Sequence, residues 1–282
     1  MSSVLLGERP QMRRRSAFAF LGVLAFGLAA CTDTSDAPGV KPTVAATTDS
    51  TTAPSGPTAT ATPSATKEPA HLVPIQRGAN VVTEKIPAPL DQWGGIPIGA
   101  DGVAGSVNEG KPVVRVYSDY WCPWCNDLVR DHGEELIQMA KDGKITLVYH
   151  PNMRFEESPY SVKGEQAEVW FAVNAPDKYL DFHELLYKEG SIPVVKHVDR
   201  AQRQQPDPKL IEEFATRVGL DAAQLESLRA TLAGDEYLPL LKQLREQFLA
   251  DGMKYIPAVV IDEKLVSDPN NGNLDQFLAP LK

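Results

Sequence analysis

The chain has 282 residues, enough for one or two domains with a buried core, and a formal net charge of −9. Residues 1–30 contribute +3 to that balance (four arginines against Glu8), so the rest of the chain stands at −12. An acidic surface argues against nucleic acid as a partner and against electrostatic adhesion to anionic lipid.

Arg13, Arg14 and Arg15 precede an uncharged run from Ser16 to Ala30, a positive n-region followed by an apolar h-region. The run is shorter than the roughly 20 residues a spanning helix needs. It ends in Leu28-Ala29-Ala30-Cys31, which resembles the lipobox of bacterial lipoproteins. The resemblance implies a signal peptide over residues 1–30, cleavage before Cys31, acylation of that cysteine, and attachment outside the cytoplasm to the bacterial cell membrane. Without the lipid, the segment reads as an ordinary secretory signal. From Thr32 to Ala70 the composition falls to Thr, Ala, Pro and Ser with no aromatic residue. Such a segment cannot bury enough surface to offset its ordering entropy, and residues 31–70 read as a lipidated cysteine and a disordered tether.

The folded domain is expected over residues 71–282. Short strands are expected at Asn80–Thr83 and Ile96–Ile98, then a β-branched strand at Val113–Tyr117. A helix follows to Lys141, with Leu128, Val129, His132, Leu136, Ile137 and Ala140 at helical spacing. Gly143 ends it and Ile145–Tyr149 makes the next strand, a βαβ unit whose strands should run parallel. Helices are expected over Ser161–Asn174, Lys178–Lys188, Pro208–Val218, Ala222–Leu232 and Tyr237–Asp251, a helical block spanning 156–251. Strand character returns at Ala258–Ile261, turning through Asp262-Glu263-Lys264 into Leu265-Val266, a hairpin. Asn273–Leu281 closes the chain as a helix.

The chemistry sits at one corner, Tyr117-Ser118-Asp119-Tyr120-Trp121-Cys122-Pro123-Trp124-Cys125. A sulfur at the start of a helix feels partial positive charge, which favours thiolate, and Pro123 suits the first helical position. Of the three cysteines, Cys31 would be committed to the membrane anchor, so Cys122 and Cys125 have only each other. A two-residue spacer closes too small a ring to serve as a structural staple. A structural zinc site wants four ligands, and neither a second C-x-x-C nor an H-x₃-H pair occurs. No metal and no cofactor is expected. Asp119 reads as a backbone cap before an acid–base group, His132 as a core or rim residue before a proton shuttle, and Trp121 as partly packed.

This layout resembles the DsbA-like branch of the thioredoxin superfamily over residues 75–282: an α/β fold, thioredoxin-like, with an inserted helical domain. Three features carry the likeness: the run from Ser118 to Cys125, the helical block, and Tyr255-Ile256-Pro257-Ala258, which is similar to the family's cis-proline loop. The resemblance implies that Cys122 is the exposed nucleophile and Cys125 the buried resolving thiol. It implies that Pro257 is cis and faces the dithiol, and that Ile256 offers main-chain hydrogen bonds to an extended client. Pro123 and Trp124 would tune the dithiol, and Trp124 would be exposed to touch clients. The strongly oxidising relatives have His where Trp124 stands, which implies a milder oxidant here. Many relatives also carry a buried acid six residues before the first cysteine. That position is Val116, with Arg115 on the opposite face of the strand, so the proton acceptor for Cys125 is unassigned.

The reading is an extracytoplasmic thiol–disulfide oxidoreductase that introduces disulfides into secreted polypeptides and is recycled by a redox partner. Its alternatives are a reductase or isomerase using the same sulfurs, or a thioredoxin-like binding lipoprotein whose cysteines are inert.

Overall fold

In a computed structural model, residues 71–191, 199–271 and 273–282 are described. The expected signal peptide, lipidated Cys31 and tether, residues 1–70, lie outside the described residues. A six-stranded sheet runs in the order β1-β6-β5-β3-β4-β2. Its strands are β1 (Leu72–Pro74), β2 (Ile96–Ile98), β3 (Val113–Ser118), β4 (Thr146–Pro151), β5 (Ala258–Ile261) and β6 (Lys264–Val266). β3 pairs parallel with β4 and antiparallel with β5, while β2 and β1 close the edges antiparallel.

Alternation along the central strands divides the interior in two. Val114 and Val116 of β3 join Val259 and Ile261 of β5 in the larger core. Tyr117, Ala258 and Val260 point to the other face, where they meet Phe248 and Met253. The β5–β6 turn is made by Asp262 and Glu263 at φ 46° and 61°, the paired positive values that a two-residue turn needs to match strand twist.

Between β3 and β4 the chain forms α1 (Pro123–Leu128), a π-helical turn at Val129–Gly133 and α2 (Glu134–Lys141). Between β4 and β5 lie α3 (Pro159–Asn174), α4 (Tyr179–Leu185), a second π turn at Leu186–Gly190, α5 (Leu210–Arg217), α6 (Ala222–Gly234) and α7 (Leu238–Ala250). Ser158 caps α3 by accepting the Ser161 N–H, and Asp221 with Gln224 forms a reciprocal capping box on α6. α8 (Asn273–Leu278) ends the fold. Among the described residues no helix is long and apolar enough to cross a membrane.

Two expectations need correcting. Asn80–Thr83 is not a strand: the Val81 N–H donates to Gln247 Oε1 (2.8 Å) and the Thr83 and Glu84 N–H groups to Gln243 Oε1 (2.7 and 2.8 Å). Side chains of α7 satisfy this backbone in place of a neighbouring strand. The edge strand is β1, eight residues earlier in the chain. The helix expected at 123–141 is interrupted by a π turn and the one expected at Lys178–Lys188 ends in one, which an apolar repeat of helical period does not reveal.

Candidate active site

β3 delivers the chain to the corner, and Cys122 is the residue that caps α1, with extended backbone (φ −98°, ψ 112°). Its Sγ accepts the main-chain N–H of Cys125 at 3.4 Å. Cys125 lies one helical turn on and is wholly buried. Its thiol is pushed well above the ordinary thiol range, first by burial, then by the hydrogen bond to Cys122 and the charge on that sulfur. The Asp119 main-chain N–H works against these effects. The two sulfurs are therefore unequal: one rests on a helix N-terminus, the other is held as a neutral thiol.

Asp119 fixes the corner from beneath. Its Oδ1 accepts the Trp121 N–H (2.8 Å) and the Ser161 hydroxyl (2.5 Å), and its Oδ2 accepts the Arg154 and Phe155 N–H groups (2.9 and 3.0 Å). This is backbone capping extended to a second loop and to α3. Burial nonetheless pushes its carboxyl upward against those four donors.

The Ile256–Pro257 peptide bond is cis and its loop lies over the dithiol, with the Ile256 carbonyl 3.8 Å from Cys122 Sγ. That contact corrects the expectation of an exposed nucleophile: Cys122 is only 1 % exposed, because its sulfur sits under the loop that precedes β5. Beside it opens a cleft of about 720 Å³ lined by Trp124, Met253, Tyr255, Ile256, Pro257 and Leu265. Trp124 is 46 % exposed and Tyr255 83 %, large apolar surface of the kind that marks binding sites. Trp121, by contrast, is buried more fully than expected, edge-on to Phe155 and donating through Nε1 to the Gln204 carbonyl (3.1 Å).

Val116 faces the larger core, and Arg115 on the opposite face pairs with Asp91. His132 lies at the rim, Nδ1 3.7 Å from Asp275. With Glu135 these two form the one group among the described residues that could hold a metal, all ligand atoms within 4.8 Å. The Lys282 ammonium already pairs with Glu135 there.

Sequence reasoning missed the buried acids of α3. Glu165 and Glu168 of α3 are buried with Asp119. Glu168 pairs with His183 and accepts the Tyr179 hydroxyl (2.9 Å). The signal was available: two glutamates three apart in a helix whose other residues are largely apolar or small.

The thioredoxin family's sequence model matches residues 102–279. Among solved structures, the chain resembles MdbA, a thiol-disulfide oxidoreductase from Actinomyces oris, at 21 % identity. The match covers 69 % of this chain and 92 % of that one, with a TM-score of 0.56. It also resembles oxidised BdbD from Bacillus subtilis at 15 % identity, covering 66 % and 92 %, with a TM-score of 0.50. At these identities the likeness establishes the fold: thioredoxin-like, with helices inserted between β4 and β5. No curated protein matches the chain in sequence.

Proposed function

The chain belongs to the thioredoxin family, and from that premise we propose that Cys122 and Cys125 are the redox pair of a thiol–disulfide oxidoreductase. The observation that carries this is the asymmetry of the pair. Cys122 Sγ takes an N–H from the helix start beneath the Ile256–Pro257 loop, while Cys125 is sealed and neutral. A sulfur that accepts a helix N–H beside one that burial holds as a thiol suits sequential exchange.

In the direction we favour, the pair begins oxidised. A client thiolate attacks Cys122 Sγ, the bond to Cys125 breaks, and Cys125 leaves with the electron pair and takes up a proton. A second client thiolate then attacks the client-side sulfur, releasing Cys122 and forming the client disulfide. Two electrons have passed to the dithiol, and a redox partner removes them. The cleft beside Trp124 and Tyr255 would receive an extended client segment, with the Ile256 main chain as its edge. The leader and Cys31 support a place outside the cytoplasm at the membrane, where exported polypeptides with free thiols are met.

Cys125→Ser removes the resolving sulfur and leaves the attacking one. Incubated with a disulfide-containing peptide, this variant should accumulate a covalent Cys122–peptide adduct visible by mass and reversed by reductant. Absence of adduct, with the protein folded, would exclude catalysis by this pair.

A further inference from the structure

We propose that Arg203 is a positioning residue for Cys122: its guanidinium, delivered by the inserted helical segment, holds the peptide that leads into the nucleophile and makes the dithiol a better oxidant. The inference rests on this dithiol being the working redox pair. Trp121, the residue before Cys122, is tied at each of its polar groups. Its main-chain N–H donates to Asp119 Oδ1 (2.8 Å), its indole Nε1 donates to the Gln204 carbonyl (3.1 Å), and its own carbonyl accepts Arg203 Nη1 (3.0 Å). That carbonyl carbon is bonded to the Cys122 nitrogen, whose N–H donates to the Asp119 carbonyl (3.1 Å). The planar peptide entering Cys122 is therefore pinned on both edges. Its orientation aims the Cys122 side chain, whose Sγ accepts the Cys125 N–H at 3.4 Å.

One of those edges is local and the other is not. Asp119 belongs to the same turn, whereas Arg203 stands 82 residues beyond Trp121, between the second π turn and α5. Ser191, directly after that π turn, donates its hydroxyl to the Tyr120 carbonyl (2.9 Å). The insertion thus grips two consecutive carbonyls, Tyr120 and Trp121, immediately before the nucleophile.

Packing alone does not account for the side chain chosen. Arg203 is buried, with its Cζ 5.3 Å from the centroid of the Trp121 ring. An apolar side chain would fill that space without the cost of desolvating a guanidinium. What arginine adds is a permanent positive charge and a charge-assisted bond, placed on the carbonyl one residue before the sulfur. A cation beside a cysteine favours negative charge on its sulfur. Cys122 takes up that charge when exchange releases it in the reduced protein, and the disulfide carries none. Arg203 therefore stabilises the reduced form over the oxidised one, which raises the reduction potential. It brings to the corner the positive charge that Trp124, between the two cysteines, does not provide.

The test equilibrates the full-length protein with glutathione buffers, where two glutathione thiols become one glutathione disulfide as the protein disulfide is reduced. Wild type, Arg203→Met and Arg203→Lys are compared, and both redox forms of each are melted. R203M should shift the equilibrium about tenfold toward the protein disulfide, the order of one hydrogen bond to a charged group, which is about 30 mV more negative. Its reduced form should lose more stability than its oxidised form. R203K keeps the charge and one donor and should recover part of the shift. Arg203→Gln is read in place of R203M if the latter does not fold, with the same expectation. An unchanged potential, with melting lowered equally in both forms, overturns the proposal, since Arg203 would then only fill space. A shift in R203K as large as in R203M overturns it as well. Both results leave the redox reading intact; a wild-type protein that never exchanges with glutathione takes down that reading itself.

Discussion

His150 is the next-to-last residue of β4, the strand beside the redox corner, and its titration should set the acid limit of the fold. It is buried, pairs in register with Tyr117 of β3, and stacks on that ring at 4.3 Å between centroids. Burial lowers its pKa to about 4; Asp91 pulls it upward and Arg115 pushes it down. The folded value thus lies below the ordinary value of 6.5. The unfolded chain takes up the proton first, so this contribution is fully present above pH 6.5 and is lost as pH falls toward 4. With these two values, linkage gives a loss of about 2 kcal/mol at pH 5 and about 3 kcal/mol at pH 4. Other groups titrate in the same window, Asp119 and Glu165 with the opposite sign, so the effect is read as a difference. His150→Phe keeps a ring against Tyr117 and removes the titration. Urea unfolding of both proteins at pH 7, 5 and 4 should show the wild type losing about 3 kcal/mol relative to the variant. Parallel stability profiles would refute the assignment.

Trp124→Ala should weaken client binding with little effect on stability, because the ring is 46 % exposed at the cleft mouth. An interface aromatic of this kind is commonly worth about 1–2 kcal/mol, read as a KM rise of roughly tenfold with Tm almost unchanged; an unchanged KM would remove Trp124 from the client site. Gly190→Ala should destabilise the insertion by about 3 kcal/mol or more, because a Cβ there would lie 1.7 Å from the Tyr160 hydroxyl, which donates to the Leu186 carbonyl. A melting temperature equal to wild type would contradict that packing.

What could be read in the sequence was whatever depends on local period and turn chemistry. The strand Ala258–Ile261 lies where the residue pattern places it, and the turn after it is one residue shorter than expected, with Lys264 already in β6. Most helices fall within a few residues of their expected bounds because caps such as Asp221 are local signals. The strand expected at Asn80–Thr83 failed for a long-range reason: Gln243 and Gln247, some 160 residues later, take its hydrogen bonds. The corner was legible because Cys122, Pro123 and Cys125 have distinct roles at a helix start. Its depth was not. The burial of Cys122 comes from the Ile256 loop, and the buried Glu165 that acts on Asp119 comes from α3. Each was brought there by tertiary packing that no window of sequence contains.

The proposed direction of electron flow, from client thiols to this dithiol, sets the poise of the pair. Its most direct test is the reduction potential of the Cys122–Cys125 pair, measured on the purified protein at equilibrium with glutathione buffers. A potential nearer about −120 mV than about −270 mV is expected, because a stabilised reduced form makes the disulfide a good oxidant. A value at or below about −270 mV would contradict the claim, reversing the electron flow, and one below about −300 mV would make the bond a structural one.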